Sequence, residues 1–292
     1  MATLQVPEID YTRYTNRQLA AVPLAVLAFA LLILAGGYLV YGSPVALGTD
    51  FAGGTELTIE TTSSESEIES AFSVEPESVQ SVQAAENQYL VQFAPTDADV
   101  AEEAEANLEP VEGNDGVVQL TAETSASFGA AAQQTAILGL GAAFVGMSIL
   151  AFLLFRTFVP SIAIVVSAFS DIVIPLAFMN IVGIQLSLGT VAGLLLIIGY
   201  SVDSDILLNN HILRRGGDFY ESTHRAMRTG VTMTVTSMAA MLVMAISAWA
   251  LGVELLMSIG LILFVGLAAD LMNTYLLNLS LLRWYKFEGV AR

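Results

Sequence analysis

The sequence predicts an α-helical polytopic membrane protein, with six transmembrane helices and a small α+β domain outside the bilayer. Three observations predict it. Apolar residues fill 55% of the 292 positions, above the roughly 45–50% of soluble domains. Six apolar stretches each approach the about 20 residues that a helix needs to cross a hydrocarbon core about 30 Å thick. Between Ser43 and Ala130 there are 18 Asp and Glu and not one Lys or Arg. The other 10 acids balance the 10 bases, so the net charge of −18 sits wholly in that segment.

The first element is residues 1–18, a cytoplasmic amino terminus carrying Arg13 and Arg17. The first span, residues 19–41, is longer than the roughly 7–15-residue core of a cleaved signal peptide and reads as an uncleaved anchor. Residues 42–130 form the extracytoplasmic domain. Within it, "TELTIETT" (Thr55–Thr62) and "QYLVQFA" (Gln88–Ala94) alternate apolar and polar residues as half-buried strands do, with a weaker strand at Ser78–Ala85. Ser64 is placed to cap one helix and Thr96 a second, and Gly116–Ser125 closes the series as a strand. The order β-α-β-β-α-β is the split, ferredoxin-like pattern. A disordered acidic linker is the competing reading of the composition.

Residues 131–282 hold spans two to six: Gln134–Phe155, Val159–Met179, Leu186–Leu208, Val231–Ala250 and Leu255–Leu282. Residues 283–292 return to the cytoplasm. With the amino terminus inside, all ten bases fall on one side, as the positive-inside rule expects. These include Arg156, Arg214, Arg215, Arg225, Arg228, Arg283, Lys286 and Arg292. The chain has no cysteine and two histidines 13 positions apart, His211 and His224, so no metal centre is expected. So acidic an outer domain would repel phosphate, which argues against nucleic acid.

Four carboxylates fall inside the spans: Asp171, Asp203, Asp205 and Asp270. Each costs about 2.5–3.5 kcal/mol at a helix centre and marks an ion or proton path when it faces a bundle interior. Asp203 and Asp205 differ by roughly 200° around a helix, so they cannot share one neighbour. Asp205 lies nearer the expected end of its span at Asn209 and could snorkel to the interface more readily than Asp203, and which of the two faces the core stays open. Arg228 is the nearest base for pairing with the acids. Ser201, Ser204, Thr232, Thr234, Thr236 and Asn273 lie at similar depth and could relay protons or coordinate Na⁺, although such residues also glue helices together. Pro175 is expected to kink the third span just beyond Asp171. The glycines of "GLGAAFVG" (Gly139–Gly146) are explained by close packing alone.

Several stretches resemble the SecF family of protein-export subunits. "DFAGGT", with Asp50, Phe51, Gly53, Gly54 and Thr55, is similar to the signature shared by SecD and SecF. "IGYSVDSDILLNNHILRR", with Gly199, Tyr200 and Ser201, resembles the fourth-span signature of SecF, "RTGVTMTVTS" its fifth span, and "ADLMNTYLLN" the sixth span of archaeal members. Bacterial members carry Asn-Asp where this chain reads Asp203-Ser204-Asp205, a departure that fits an archaeal, halophilic branch. The resemblance implies a non-enzymatic accessory subunit of the Sec translocase in the cell membrane. It implies pairing with SecD into a twelve-helix assembly of the resistance-nodulation-division type, beside the SecY translocon, acting on translocating preproteins. Asp171, Asp203, Asp205, Arg228 and Asp270 would couple an ion gradient to export, with no cofactor and with H⁺ or Na⁺ as the ion. Three other readings stay open at this level: a lipid or small-molecule exporter half, a passive assembly factor, and an intramembrane aspartyl protease.

Overall fold

The computed structural model describes residues 10–82, 87–96, 98–114, 116–213 and 218–289. Arg214, Arg215, Arg292 and the end of the expected strand Ser78–Ala85 lie outside the described residues.

Among these residues six helices are long and apolar enough to cross a membrane. Helix α1 (Asn16–Tyr41) opens with a capping box in which Thr15 and Gln18 satisfy each other's orphan backbone amides. After the outer domain come α5 (Ala126–Phe155), α6 (Phe158–Val182), α7 (Leu188–Leu213) and α8 (Phe219–Ala250). Span six is α9 (Glu254–Met272), a π-helical turn (Asn273–Asn278), α10 (Leu279–Trp284) and a second π-helical turn (Tyr285–Gly289).

Helices α6 and α7 are the most enclosed, whereas α1, α5 and α8 leave most of their surface uncovered. Small residues let α6 sit at the centre: Ala163, Ser167, Ala168 and Ser170 are all fully buried. Two spans run further than the apolar stretches predict. Helix α5 starts at Ala126, capped by Ser125, and α8 starts at Phe219, where Asp218 accepts from the amides of Tyr220 and Glu221. In α8 an aromatic face carries that extension, because Phe219 is buried against the cluster of Tyr11, Leu208, Ile212 and Leu282. The same end is tied by Arg283, which donates to the carbonyls of Tyr11 and Tyr14 at 2.9 Å each. Both described chain ends therefore meet at one end of the bundle.

At the other end lies the sheet domain, with β1 (Gly54–Glu60), β2 (Ser78–Ser81), β3 (Gln88–Phe93) and β4 (Val118–Thr124). Its order is β2-β3-β1-β4, antiparallel throughout, with α3 (Glu65–Ser70) and α4 (Val100–Asn107) between strands. Leu57, Ile59, Val91 and Phe93 point to one face and pack with Ile68, Val100 and Ala104 from the two helices. Ser64 does cap α3, in a capping box with Glu67. Thr96 does not cap α4. The cap is Asp99, which accepts from the Glu102 amide at 3.0 Å, while the Thr96 hydroxyl accepts from the Ala98 amide in the preceding turn. An ionised carboxylate three residues closer holds the exposed helix amides better than the hydroxyl.

Candidate functional site

Three of the four intramembrane aspartates converge. Asp171 from α6 is 0% exposed, Asp205 from α7 0% and Asp270 from α9 1%. Their surroundings consist of hydroxyls and amides. Asp171 accepts from Ser201 at 2.6 Å, Asn273 at 2.5 Å and, weakly, Ser167 at 3.5 Å. Asp205 accepts on Oδ1 from Thr274 at 3.0 Å and Asn278 at 2.7 Å. Asp270 accepts from Ser204 at 2.7 and 2.9 Å, and Thr274 lies 3.3 Å from its Oδ1.

Helical geometry explains why α7 contributes three of these groups. Ser201 and Asp205 are one turn apart on the same face, and Ser204 lies beside them. The proline of α6 adds to the polarity. Pro175 has no N–H, so the carbonyl of Asp171, four residues earlier, is left out of the helix ladder.

The π-helical turn supplies the other donors. On an α-helix Asn273 and Asn278 would lie about 140° apart. Backbone bonds of the i to i+5 type bring them toward one face, so that Asn273, Thr274 and Asn278 all reach the carboxylates.

No base joins this cluster among the described residues. The two ion pairs found there, Arg13 with Asp10 and Arg225 with Glu221, are exposed and local in sequence. Taking one ionised carboxylate out of water carries a penalty of several kcal/mol even after relaxation, so three unneutralised ones in one enclosed site are not sustainable. Several buried polar atoms also have no partner among the described residues: Oδ2 of Asp205, Oδ1 of Asn273 and of Asn278, and both amide atoms of Asn209. Each such atom costs about 1–3 kcal/mol. This interior is not arranged for stability alone.

Residues 105–288 match the family model for the C-terminal region of SecD/SecF protein-export membrane proteins. The SecF of Haloferax volcanii is 61% identical over 295 residues, and that of Haloquadratum walsbyi 61% identical over 300, with each pair covered in full. The chain belongs to the SecF family. Its likeness to those two proteins makes it of the haloarchaeal type. The SecF of Methanocaldococcus jannaschii is 34% identical over 284 residues, 93% of this chain and 96% of that one.

Among solved structures, SecDF of Thermus thermophilus, a translocon-associated membrane protein, matches with a TM-score of 0.72 at 20% identity, over 97% of this chain and 39% of that one. A SecDF structure in a super-membrane-facing form matches with a TM-score of 0.59 at 22% identity, over 99% of this chain and 40% of that one. At such identities the likeness shows the fold. This SecF-family chain spans about two-fifths of the length of those solved SecDF chains.

Between Asp203 and Asp205 the structure turns inward the one nearer the expected helix end. Asp205 is enclosed and Asp203 is exposed. The reason is the length of α7, which continues to Leu213 with His211 and Ile212 buried, so Asp205 is eight residues from the helix end and cannot snorkel out. Arg228 is also exposed and forms no ion pair among the described residues. Helix α8 packs inward through Ala226, Met227, Gly230 and Thr234, which turns Arg228 outward.

Of the fourth-span signature, Ser201 enters the site, while Gly199 and Tyr200 face out. The "DFAGGT" residues lie at the far end of the bundle. Asp50 accepts from the Leu188 amide at 3.0 Å, capping the helix that carries Asp205. Phe51 is buried in the short helix α2 (Thr49–Ala52), and Thr55 is the second residue of β1. Gly53 (φ +79°) and Gly54 (φ +125°) take backbone conformations that side chains rarely adopt, and a Cβ on either would strike the backbone of Ala126 or Phe93.

Thr274 and Asn278 went unrecognised as site residues from sequence. The available signal was three polar residues, at 273, 274 and 278, inside an otherwise apolar span.

Proposed function

We propose that this chain works with SecD in the cytoplasmic membrane as part of the Sec translocase, using an ion gradient to promote export of preproteins. The observation that carries the reading is the enclosure of Asp171, Asp205 and Asp270 together without a neutralising base. Charge in such a place is tolerable only if it is transient, which is the behaviour required of an ion-coupling site. Thr274 sharpens this. Its single hydroxyl proton is addressed by oxygens of both Asp205 and Asp270, so it serves only one of two ionised carboxylates at a time.

Partnership with SecD is supported by the outward polar groups. Asp203 on α7 and Thr236 on α8 lie exposed along spans where lipid would be a poor neighbour. A second membrane subunit with polar complements would cover them. The orientation, with both termini cytoplasmic and residues 42–130 outside, is supported by the positions of the bases. Arg13, Arg156, Arg225, Arg228, Arg283 and Lys286 mark the bundle end opposite the sheet domain.

In the proposed cycle, taking up an ion removes charge from the cluster and favours a tighter packing of α6, α7 and span six, and release reverses it. Motion of the outer domain between the two packings would bias an emerging chain outward. The test is Asp171→Asn, which keeps the shape while abolishing the charge. Membranes carrying this variant with its SecD should lose gradient-dependent stimulation of export while the protein still inserts normally. Stimulation equal to that of the parent would overturn the reading.

A further inference from the structure

The amide groups of Asn273 and Asn278 are placed oddly for simple packing residues. Both side chains are fully buried. Each gives its Nδ2–H to a carboxylate, Asn273 to Asp171 and Asn278 to Asp205, and each leaves its Oδ1 without a partner among the described residues. A carboxamide is a donor on one side and an acceptor on the other, and half a turn about its last side-chain bond exchanges them. We propose that Asn273 and Asn278, brought onto one face by the π-helical turn, are two-way partners that let Asp171 and Asp205 hold either protonation state without water. The inference rests on the ion-coupling reading of the cluster in its proton-driven form and adds to it the groups that make the two states tolerable.

The chemistry balances with a single O–H bond. In the ionised state the carboxylate only accepts, and it receives the amide N–H. When a proton from water reaches a carboxylate oxygen, an O–H bond forms and that oxygen becomes a donor facing a donor. The amide then turns over, its C=O accepts the new O–H, and the N–H moves to the side where Oδ1 had stood alone. Loss of the proton to water reverses both movements. The Thr274 hydroxyl, between Asp205 and Asp270, can change from donor to acceptor without moving.

The titratable groups facing the turn are Asp171 from α6, Asp205 from α7, Asp270 from α9 and the turn's own Tyr275, whose hydroxyl donates to the Ala226 carbonyl of α8 at 3.4 Å. Tyr11 lies beyond Tyr275 in the same buried cluster. On α7, His211 is held through Nδ1 at the Leu207 carbonyl, 2.8 Å away. Asp203 and Arg228 face outward. Arg283 is occupied by the carbonyls of Tyr11 and Tyr14. None of these supplies a fixed positive charge to the site.

The experiment replaces each Asn by Thr or by Val, which share a shape but differ in the hydroxyl that can both give and accept. Gradient-driven export is followed against pH in vesicles containing the full chain and its SecD, at constant Na⁺. Asn273→Thr and Asn278→Thr should keep the parental pH midpoint. Asn273→Val and Asn278→Val should move it alkaline by about one unit, a tenfold change in proton concentration, because the charge-assisted bond lost to the ionised state is stronger than the neutral one lost to the protonated state. Coincident midpoints for Thr and Val would overturn the assignment. So would an export rate that follows Na⁺ and ignores pH.

If Asp171→Asn leaves stimulation intact, the ion-coupling reading fails and takes this inference with it. If Asp171→Asn abolishes stimulation while Val and Thr behave alike, only the role of the amides fails. Should the Val variants not accumulate, infrared spectra of the unsubstituted protein with isotope-labelled asparagine decide instead. The Asn side-chain carbonyl band should shift in step with the appearance of protonated carboxyl, and a band indifferent to that titration would overturn the proposal.

Discussion

The same residue type lives by opposite rules in the two halves of this molecule. In the outer domain 18 carboxylates stand in a segment without a single base, and they need no partner because water solvates them. Those that bond take neutral donors: Glu67 closes the cap of α3, Glu103 takes the amide and hydroxyl of Ser73, and Glu105 the amides of Val117 and Val118. In the bundle three carboxylates occupy a site built from four hydroxyls and two amides, drawn from α6, α7 and span six. Outside, acidity is a property of the surface as a whole. Inside, each charge requires its own construction, and a cluster so provided is a candidate for changing its charge.

The widest separation between the two regions should appear with salt. At roughly 1 M ionic strength the screening length is about 3 Å, and at 0.01 M it is about 30 Å. Transfer to low salt should therefore unfold the outer domain through self-repulsion while leaving α6, α7 and span six folded. Limited proteolysis at both salt concentrations checks this, with cleavage expected only between residues 43 and 125. Equal protection of the outer domain in both conditions would remove the contrast.

A smaller effect is expected inside. Thr274→Val keeps the shape but removes the hydroxyl shared by Asp205 and Asp270, and should lower stability by about 1–3 kcal/mol. Thr236→Val, at an exposed position bonded only to its own helix, should change it by less than about 0.5 kcal/mol. Thermal unfolding of the two purified variants side by side measures the difference.

The smallest effect belongs to the outer acids. Glu67 and Glu103 are held below their ordinary value of 4.5, Glu67 chiefly by the Ser64 amide and Glu103 chiefly by the Ser73 hydroxyl. A depressed folded value contributes stability above the unfolded one, and this is lost as pH falls through the folded one. The outer domain should thus soften only below about pH 4.5, where these groups begin to protonate. Ser73→Ala should weaken that dependence, as read from acid titration of protection against pepsin, which cleaves at apolar residues and works in acid.

How much of this was legible in the sequence follows from what each feature depends on. The spans and the strand order rest on local periodicity and length, and Leu57, Ile59, Val91 and Phe93 announce their shared face by alternation alone. The 200° between Asp203 and Asp205 was equally readable. Which of them turns inward was not, because it depends on how far α7 continues and on Ile212 being buried by neighbours distant in sequence. Arg228 misled for the same reason: depth along α8 is local, but azimuth is set by the packing of Ala226 and Gly230. The π-helical turn was hidden most deeply. An α-helical reading separates Asn273 from Asn278, and only the altered backbone reunites them at the carboxylates.

The contact of Asp50 with the amino end of α7 has a mechanical corollary. The main-chain bonds of Gly48 and Ala46 to Leu186, together with that carboxylate, fasten the sheet domain to the helix at its tip. From Leu188 to Asp205 the helix is an arm of about 25 Å. Pivoting the exterior lobe by about five degrees would sweep the far carboxyl through about 2 Å on such an arm, enough to make or sever a hydrogen bond. A load felt outside the membrane and a bond deep within it are thus ends of one lever.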